Sequence, residues 1–134
     1  MGQRVKQIIV MRKDLNMRKG KQIAQGAHAS VGALLSMGKF INREDGLLSY
    51  NIPMDNLAVK MWLEGSFTKI CVYVNSEKEL IELESKAKEA GILHCLITDN
   101  GLTEFKGVKT KTCLAIGPAF EDVINKITGH LPLL

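Results

Sequence analysis

The chain has 134 residues, of which 46% are hydrophobic and 24% are charged, with a mean hydropathy of +0.02 and a net charge of +4. This composition excludes a disordered, a collagen-like and a coiled-coil protein. The length predicts one domain over residues 1–134, which can bury about two-thirds of its unfolded surface and fold without disulfides or metal.

The positive charge lies almost wholly at the front of the chain. Residues 1–21 contain seven basic residues against the single acidic residue Asp14, a net charge of +6, which leaves −2 for residues 22–134. A basic patch on a nearly neutral body favours a polyanionic partner such as nucleic acid, although such a stretch is more often only a solvated surface.

Three cysteines, Cys71, Cys95 and Cys113, are far apart and lie in apolar runs, without the close Cys or His spacing of a zinc site. They are therefore predicted to be buried, reduced thiols. The start of the chain lacks the regions of a signal peptide, which predicts a cytoplasmic protein. The longest weakly polar stretch, residues 23–37, is too short to span a bilayer, so no membrane association is expected.

In chain order, the first element is the β-branched run of residues 5–11, which predicts a central strand. Asn16 is the predicted N-cap of a helix from about residue 19 to about residue 37, where small and apolar residues recur at steps of three and four. Residues 38–66 contain several Gly, Asn and Pro residues and predict a loop with one short helix at about residues 54–64.

The second half of the chain alternates strands with helices. Strands are predicted at residues 69–74, 93–98 and 110–116, the last one stopped by Gly117-Pro118. Helices are predicted from the Ser76–Glu79 capping box to Gly91 and over residues 121–127. This alternation predicts an α/β layer fold, with helices on both faces of a small, largely parallel sheet.

The first candidate functional region is the start of the long helix. Arg18, Lys19 and Lys21 fall in its first turn, where cations oppose the helix dipole unless an anion binds there. Lys21, Gln25 and His28 are spaced i, i+4, i+7 and share one stripe of the helix. A solvated Lys21 and a core His28 with satisfied hydrogen bonds explain the same spacing and are more common in general.

The second candidate region is the turn after the third long strand, Asp99-Asn100-Gly101-Leu102-Thr103. At the C-terminal end of a strand, Asp99 can orient a water or accept a proton, and the Thr103 hydroxyl can position substrate or water. Asp-Asn-Gly is also a routine turn sequence. The chain has no G-x-S-x-G elbow and no glycine-rich dinucleotide or P-loop motif, so these two regions stand out.

Four motifs follow one another along the chain. They are Ile8 to Met17 with Lys19-Gly20-Lys21, Ala24-Gln25 and Ala27-His28-Ala29; Asp99-x-Gly101-x-Thr103; Thr112 to Pro118; and Ile127 to Leu131 with Leu133-Leu134. Together they resemble the archaeal and eukaryotic type of peptidyl-tRNA hydrolase. The resemblance implies a three-layer α/β/α fold with a four-stranded mixed sheet, often dimeric, so a homodimer is expected. It also implies hydrolysis of the ester between a peptide and the 3′ end of tRNA, without metal or organic cofactor.

The resemblance also implies the site residues, with Lys21, Asp99 and Thr103 as the catalytic group and with Gln25 and His28 supporting it. Lys21 would supply positive charge to the developing oxyanion while Asp99 and Thr103 align the attacking water; alternatively, Asp99 only fixes Lys21 by an ion pair. The residues expected to contact tRNA phosphates are the nearby basic ones, Arg12, Lys13, Arg18, Lys19, Lys106 and Lys109.

The chain departs from the family pattern beside this group. Leu102 stands where a basic residue is usual, Glu104 replaces the usual Gln, and residues 106–110 replace a P-G-[ST] loop. These departures keep open a non-catalytic tRNA- or RNA-binding protein of the same fold and, thirdly, a protein-interaction role. The presence of Lys21, Asp99 and Thr103 together favours the enzyme.

Overall fold

A computed structural model describes residues 3–134, within which there are six strands and four α-helices. The strands are β1 (Val5–Arg12), β2 (Lys39–Asn42), β3 (Leu48–Asn51), β4 (Lys69–Val74), β5 (His94–Asp99) and β6 (Thr110–Phe120). The helices are α1 (Lys19–Leu35), α2 (Leu57–Glu64), α3 (Glu77–Glu89) and α4 (Glu121–Thr128), and a short 3-10 turn covers Lys13–Leu15.

Four strands form one sheet in the order β4-β1-β6-β5, and β2 and β3 form a separate two-stranded sheet. β1 is parallel to β4, whereas β6 is antiparallel to both β1 and β5. The central β1 and the mixed sheet are confirmed, but the largely parallel sheet predicted from the alternation is wrong. β5 continues into β6 through a loop of residues 100–109 without a helix, and such a short connection returns the chain antiparallel.

Helices cover both faces of the four-stranded sheet, as predicted. Successive residues of a strand point to opposite faces: Ile8 and Val10 of β1 pack with α3 and α4, while Met11 packs with α1. Ala29 and Ala33 of α1 are fully buried, and side chains this small let the helix lie close to the sheet. The result is an α/β fold of three layers, with β1 and β6 in the middle of the sheet.

One end of the sheet gathers the segments that carry the candidate residues. β1 and β5 end there and β6 begins there, with Asp99 opposite Thr110 and Met11 opposite Cys113. α1 starts just beyond the 3-10 turn that follows β1. Its first turn therefore lies at the same end of the sheet as Asp99.

α1 begins differently from the prediction. Its N-cap is Arg18, whose side chain makes no capping hydrogen bond, and Asn16 instead ends the 3-10 turn with left-handed backbone (φ 53°, ψ 39°). The predicted Asn16 cap is wrong because asparagine tolerates left-handed backbone as well as helix caps. The helix ends at Leu35, two residues earlier than predicted.

Residues 38–66 contain a β-hairpin that the sequence pattern does not predict. β2 and β3 pair antiparallel across a turn in which Gly46 has φ +85°. Seven of their eight side chains are exposed, so no alternation of buried and polar residues marks them as strands. The short helix is confirmed, but it begins at Leu57. Asn56 is its N-cap, and the Asn56 side chain accepts a hydrogen bond from the Val59 N–H.

The last strand is longer than predicted. The Gly117–Pro118 bond is cis, and β6 continues through it to Phe120. The prediction that these residues stop the strand is wrong because β1 and β6 shift register between Lys6 and Ile8. This bulge accommodates Gly117, whose φ of +94° does not fit a regular strand.

The other boundaries agree with the sequence pattern. β4 covers the predicted residues 69–74, and the Ser76 hydroxyl accepts from the Glu79 N–H as a capping box requires. Gly91 follows α3 with φ +68°. β5 and α4 lie within one residue of their predicted bounds.

The three cysteines are free, but they differ in burial. Cys113 is buried, Cys95 is half-buried and Cys71 is exposed. The prediction of three buried thiols is therefore confirmed for Cys113 only. Cys71 is exposed because this residue of β4 lines an open groove beside α1. Within residues 3–134, no helix combines the length and the apolar character that crossing a membrane requires.

Candidate active site

Lys21, Asp99 and Thr103 meet at the end of the sheet, although about 80 residues of chain separate the lysine from the other two. Lys21 Nζ donates to Asp99 Oδ1 at 2.7 Å and to Thr103 Oγ1 at 2.8 Å. The Lys21 and Asp99 side chains are each 13% exposed. An ammonium has three donors, so one remains for an oxygen of a bound substrate.

Asp99 accepts hydrogen bonds on both of its oxygens. Oδ1 accepts from Lys21 and, at 3.3 Å, from Gln25 Nε2, while Oδ2 accepts from the Gly101 N–H at 2.9 Å. The Lys21 hydrogen bond, assisted by Gly101 and by the charges of Lys21 and His28, holds the pKa of Asp99 below its usual 3.8, although burial acts in the opposite direction. Asp99 is therefore a carboxylate at neutral pH whose lone pairs are largely engaged.

Gln25 links this group to the core. Its side chain is buried, and its Oε1 accepts from the Thr112 hydroxyl at 2.5 Å, while its backbone carbonyl accepts from Cys113 Sγ at 3.2 Å. Burial raises the pKa of Cys113 to about 12, so this group stays a neutral thiol. The helical spacing predicts Gln25 beside the site, but nothing in the spacing connects it to Thr112, which lies 87 residues away.

His28 lies on the same side of α1 and stands apart from these hydrogen bonds. Its side chain is exposed, so the explanation as a core histidine is wrong. The stripe of α1 that packs on the sheet contains Ala29 and Ala33 instead. His28 affects the site electrostatically, as the smallest of the effects that lower the pKa of Asp99.

The loop between β5 and β6 is shaped around Gly101. This residue has φ +79°, and a Cβ there would lie 2.4 Å from the Val108 carbonyl oxygen. The Gly101 carbonyl accepts from the Gly107 N–H at 2.8 Å. Glycine alone combines that backbone conformation with such a close approach, and the folded loop brings Thr103 to Lys21.

The predicted tRNA contacts divide into two groups. Arg12 is 12% exposed, and its guanidinium binds Asp14 at 2.7 Å and the Lys111 carbonyl at 3.1 Å. Hydrogen-bond donors of Arg12 are therefore already engaged by other groups of the protein. The other predicted contacts have exposed side chains: Lys13, Arg18, Lys19, Lys106 and Lys109. Among them, Arg18 is 90% exposed and lies 3.7 Å from Glu104, which is 19% exposed. This long contact with a solvated guanidinium contributes little to stability.

A cavity of about 290 Å³ lies beside Thr103 and is large enough for one group of a substrate. Arg18, Glu104 and Phe105 are among the residues that line it. In the described part of the chain, residues 3–134, no group of three His, Cys, Asp or Glu side chains is placed to hold a metal ion.

Known proteins are similar to this chain along nearly its whole length. A sequence profile described as "Peptidyl-tRNA hydrolase PTH2" matches residues 5–134. Proteins named "Peptidyl-tRNA hydrolase" from Methanocaldococcus jannaschii and Methanothermobacter thermautotrophicus are 41% and 42% identical, each over 97% of this chain and 100% of the relative. A "Probable peptidyl-tRNA hydrolase 2" from Dictyostelium discoideum is 37% identical over 96% of this chain and 54% of that longer protein.

Proposed function

This chain belongs to the peptidyl-tRNA hydrolase PTH2 family and is a peptidyl-tRNA hydrolase, and we propose that Lys21, Asp99 and Thr103 form the centre where it cleaves its substrate. The bond cleaved is the ester between tRNA and a peptide or an N-blocked aminoacyl group. The observation that carries the proposal is the contact of Lys21 Nζ with Asp99 Oδ1 at 2.7 Å and with Thr103 Oγ1 at 2.8 Å.

Hydrolysis requires stabilisation of negative charge on the ester carbonyl oxygen. Water adds to the carbonyl carbon, and the bond to the ribose oxygen then breaks. One proton of the water ends on the ribose oxygen and the other is released to solvent, which gives a peptide carboxylate and a tRNA with a free hydroxyl group. The remaining N–H of Lys21 can donate to the oxygen on which the charge develops. Because Asp99 and Thr103 hold Lys21 before the substrate binds, little reorganisation is needed in the transition state.

Of the two roles considered for Asp99, holding Lys21 has the stronger support. Its lowered pKa makes it a weak base, and its oxygens already accept three hydrogen bonds. Thr103 accepts from Lys21 and therefore keeps its own hydroxyl hydrogen, with which it can align the attacking water. A non-catalytic RNA-binding role lacks this support, since binding a phosphate does not require a lysine held in place by both an aspartate and a threonine.

The test of the centre is the cleavage of a peptidyl-tRNA that carries an N-blocked aminoacyl group. Lys21→Ala is expected to lower kcat by about 100-fold to 1,000-fold, the usual effect of removing an oxyanion donor. The matched control is Lys88→Ala, which removes an exposed lysine of α3 and should leave kcat unchanged. Full activity of Lys21→Ala would exclude this centre, and tRNA binding without cleavage by the unaltered protein would indicate the non-catalytic alternative.

The exposed basic residues around the centre are proposed to hold the tRNA backbone. Lys13 lies in the 3-10 turn that precedes α1, and Arg18 and Lys19 lie at the start of that helix. Lys106 and Lys109 lie in the loop that carries Thr103. Each phosphate contact releases counterions, so binding should weaken as salt rises. Arg12 has less support than the other five, because a phosphate would have to compete with its ion pair to Asp14.

We also propose that the chain acts as one domain, in the cytoplasm, and as a homodimer. An apolar groove of about 620 Å³ beside α1 exposes Ile23 (73%) and Leu134 (46%). Such a patch usually marks an interface, and a second copy related by a two-fold axis would cover it with the same residues. Ile23→Glu should therefore give monomers in analytical ultracentrifugation, whereas Leu48→Glu on the hairpin should not; a dimeric Ile23→Glu would exclude this surface.

A further inference from the structure

Thr112 is a residue of β6 to which the proposed mechanism assigns no role. It is fully buried, and its hydroxyl donates to Gln25 Oε1 at 2.5 Å. Valine has nearly the same shape as threonine and strongly prefers β-strands. Packing in the core of β6 therefore does not by itself require a hydroxyl group at this position.

The two ends of the Gln25 amide bind different partners. Nε2 donates to Asp99 Oδ1 at 3.3 Å, and Oε1 accepts from Thr112. If the amide were reversed, its oxygen would face the Asp99 carboxylate, and neither group has a hydrogen to donate. The Asp99 carboxylate therefore selects the orientation of the amide, and the Thr112 hydroxyl, by donating to Oε1, holds the amide in reach of Asp99.

The backbone of Gln25 is fixed independently of its side chain. The Cys113 thiol donates to the Gln25 carbonyl at 3.2 Å, which ties this turn of α1 to β6. Loss of the Thr112 hydroxyl would leave that contact in place and would release the side-chain amide alone. The expected consequence is a local change at Asp99 rather than a movement of the helix.

From this chain of contacts we propose that Thr112 is a positioning residue for catalysis, which holds the Gln25 amide in place so that Gln25 and Lys21 together fix Asp99. The proposal rests on the proposed centre of Lys21, Asp99 and Thr103. Because Thr112 is 0% exposed, it does not touch the substrate and acts through Gln25. Its removal should therefore change kcat and leave KM nearly unchanged.

The experiment compares Thr112→Val with two other variants in the peptidyl-tRNA cleavage assay. Thr112→Val is expected to lower kcat about tenfold, in the range for residues that orient an active-site group, with KM within about twofold of the unaltered value. Thr112→Ser retains the hydroxyl and should restore most of kcat. Thr128→Val is the matched control, because Thr128 is 3% exposed and its hydroxyl donates to the Ile124 carbonyl in α4, away from the site.

A double variant tests whether Thr112 acts through Gln25. In a Gln25→Leu background, Thr112→Val should cause no further loss of kcat, since the amide that it holds is gone. Multiplicative losses in the double variant, or an unchanged kcat in Thr112→Val, would overturn the proposal. If Thr112→Val does not fold, as judged by thermal unfolding, Thr112→Ala is measured in its place by the same criteria.

Lys21→Ala is included in the same assay to separate the two proposals. If Lys21→Ala is inactive while Thr112→Val equals the unaltered protein, the centre stands and the role of Thr112 is wrong. If Lys21→Ala is fully active, the proposed centre itself fails, and the role of Thr112 fails with it.

Discussion

The loop between β5 and β6 and the hairpin β2–β3 are both excursions from the main sheet, and they are built in opposite ways. Residues 100–109 form neither helix nor strand, yet the loop is fixed by the close approach of Gly101 to Val108 and by the hydrogen bond between Thr103 and Lys21. The hairpin has regular pairing and mostly exposed side chains. Tertiary contacts, rather than regular secondary structure, therefore hold the loop of residues 100–109 in the geometry of the proposed centre.

The largest expected effect is a difference in kcat/KM between two glycine-to-alanine variants, Gly101→Ala in the loop and Gly46→Ala in the hairpin, since both glycines have left-handed backbone. At Gly101, a methyl group would lie 2.4 Å from the Val108 carbonyl oxygen, so the loop must open, which withdraws the Gly101 N–H from Asp99 and Thr103 from Lys21. Gly101→Ala is expected to lower kcat/KM about 100-fold or more, since it displaces two contacts of the centre. The measurement is steady-state cleavage of peptidyl-tRNA.

Gly46→Ala in the hairpin turn is the matched control. Gly46 has a similar φ of +85°, but nothing lies within 4 Å of an added Cβ. The substitution costs about 1 kcal/mol of backbone strain and should leave kcat/KM within about twofold. Equal kcat/KM values for the two variants would show that the loop of residues 100–109 does not position the centre.

Removal of the Asp99 charge should have the next largest effect. Asp99→Asn keeps the shape of the side chain but weakens its hold on Lys21, and kcat is expected to fall about 10-fold to 100-fold, as for other orienting partners. The pKa of Asp99 is lowered in the folded protein from its usual 3.8. The stability that its charge provides is therefore complete above that usual value and is lost as pH falls through the folded value.

The pH dependence gives this prediction a second readout. At pH 7 the free energy of unfolding should be larger for the unaltered protein than for Asp99→Asn, and the difference should shrink only below about pH 4. Urea unfolding at several pH values measures it. A difference that already disappears between pH 7 and pH 5 would mean that another group, rather than Asp99, carries the effect.

The fold was predictable where local signals dominate. β4 and the Ser76–Glu79 capping box follow from β-branched residues and from helix-cap chemistry, both of which act over a few residues. The continuation of β6 to Phe120 was not predictable, because it depends on a bulge against β1, more than 100 residues away in sequence. The hairpin was missed because its exposed strands have no buried face to create a pattern.

The candidate site was predictable only where local sequence signals mark its residues. The helical spacing placed Lys21 and Gln25 on one stripe, and the position after a strand favoured Asp99. Their meeting depends on the antiparallel return of β6 and on the left-handed backbone of Gly101, which a local pattern does not encode. Thr112 was missed because a buried threonine in an apolar strand has the same pattern as any core residue.

Removal of the hairpin should have the smallest effect. A Cβ on Gly38 would lie 2.9 Å from Ile52 Cγ1, so the two ends of the hairpin are adjacent, and two glycines can replace residues 39–51. Lys21 and Leu35 stand about 21 Å apart along α1 at 1.5 Å per residue, which places the hairpin far from the centre. We expect kcat/KM to stay within about twofold, with a fall of a few degrees in Tm from the loss of the hydrogen bond between Tyr50 and the Leu35 carbonyl.

The deletion also tests whether the hairpin contacts tRNA or supports the proposed centre. It removes Lys39 and Arg43 together with Glu44 and Asp45, so the net charge of the protein does not change, and a loss of tRNA affinity cannot be ascribed to a general loss of positive charge. A KM that rises several-fold at constant kcat would therefore mean that the hairpin touches tRNA directly. A kcat that falls as far as in Gly101→Ala would instead mean that the centre depends on the hairpin, and the contrast between the two regions would be wrong.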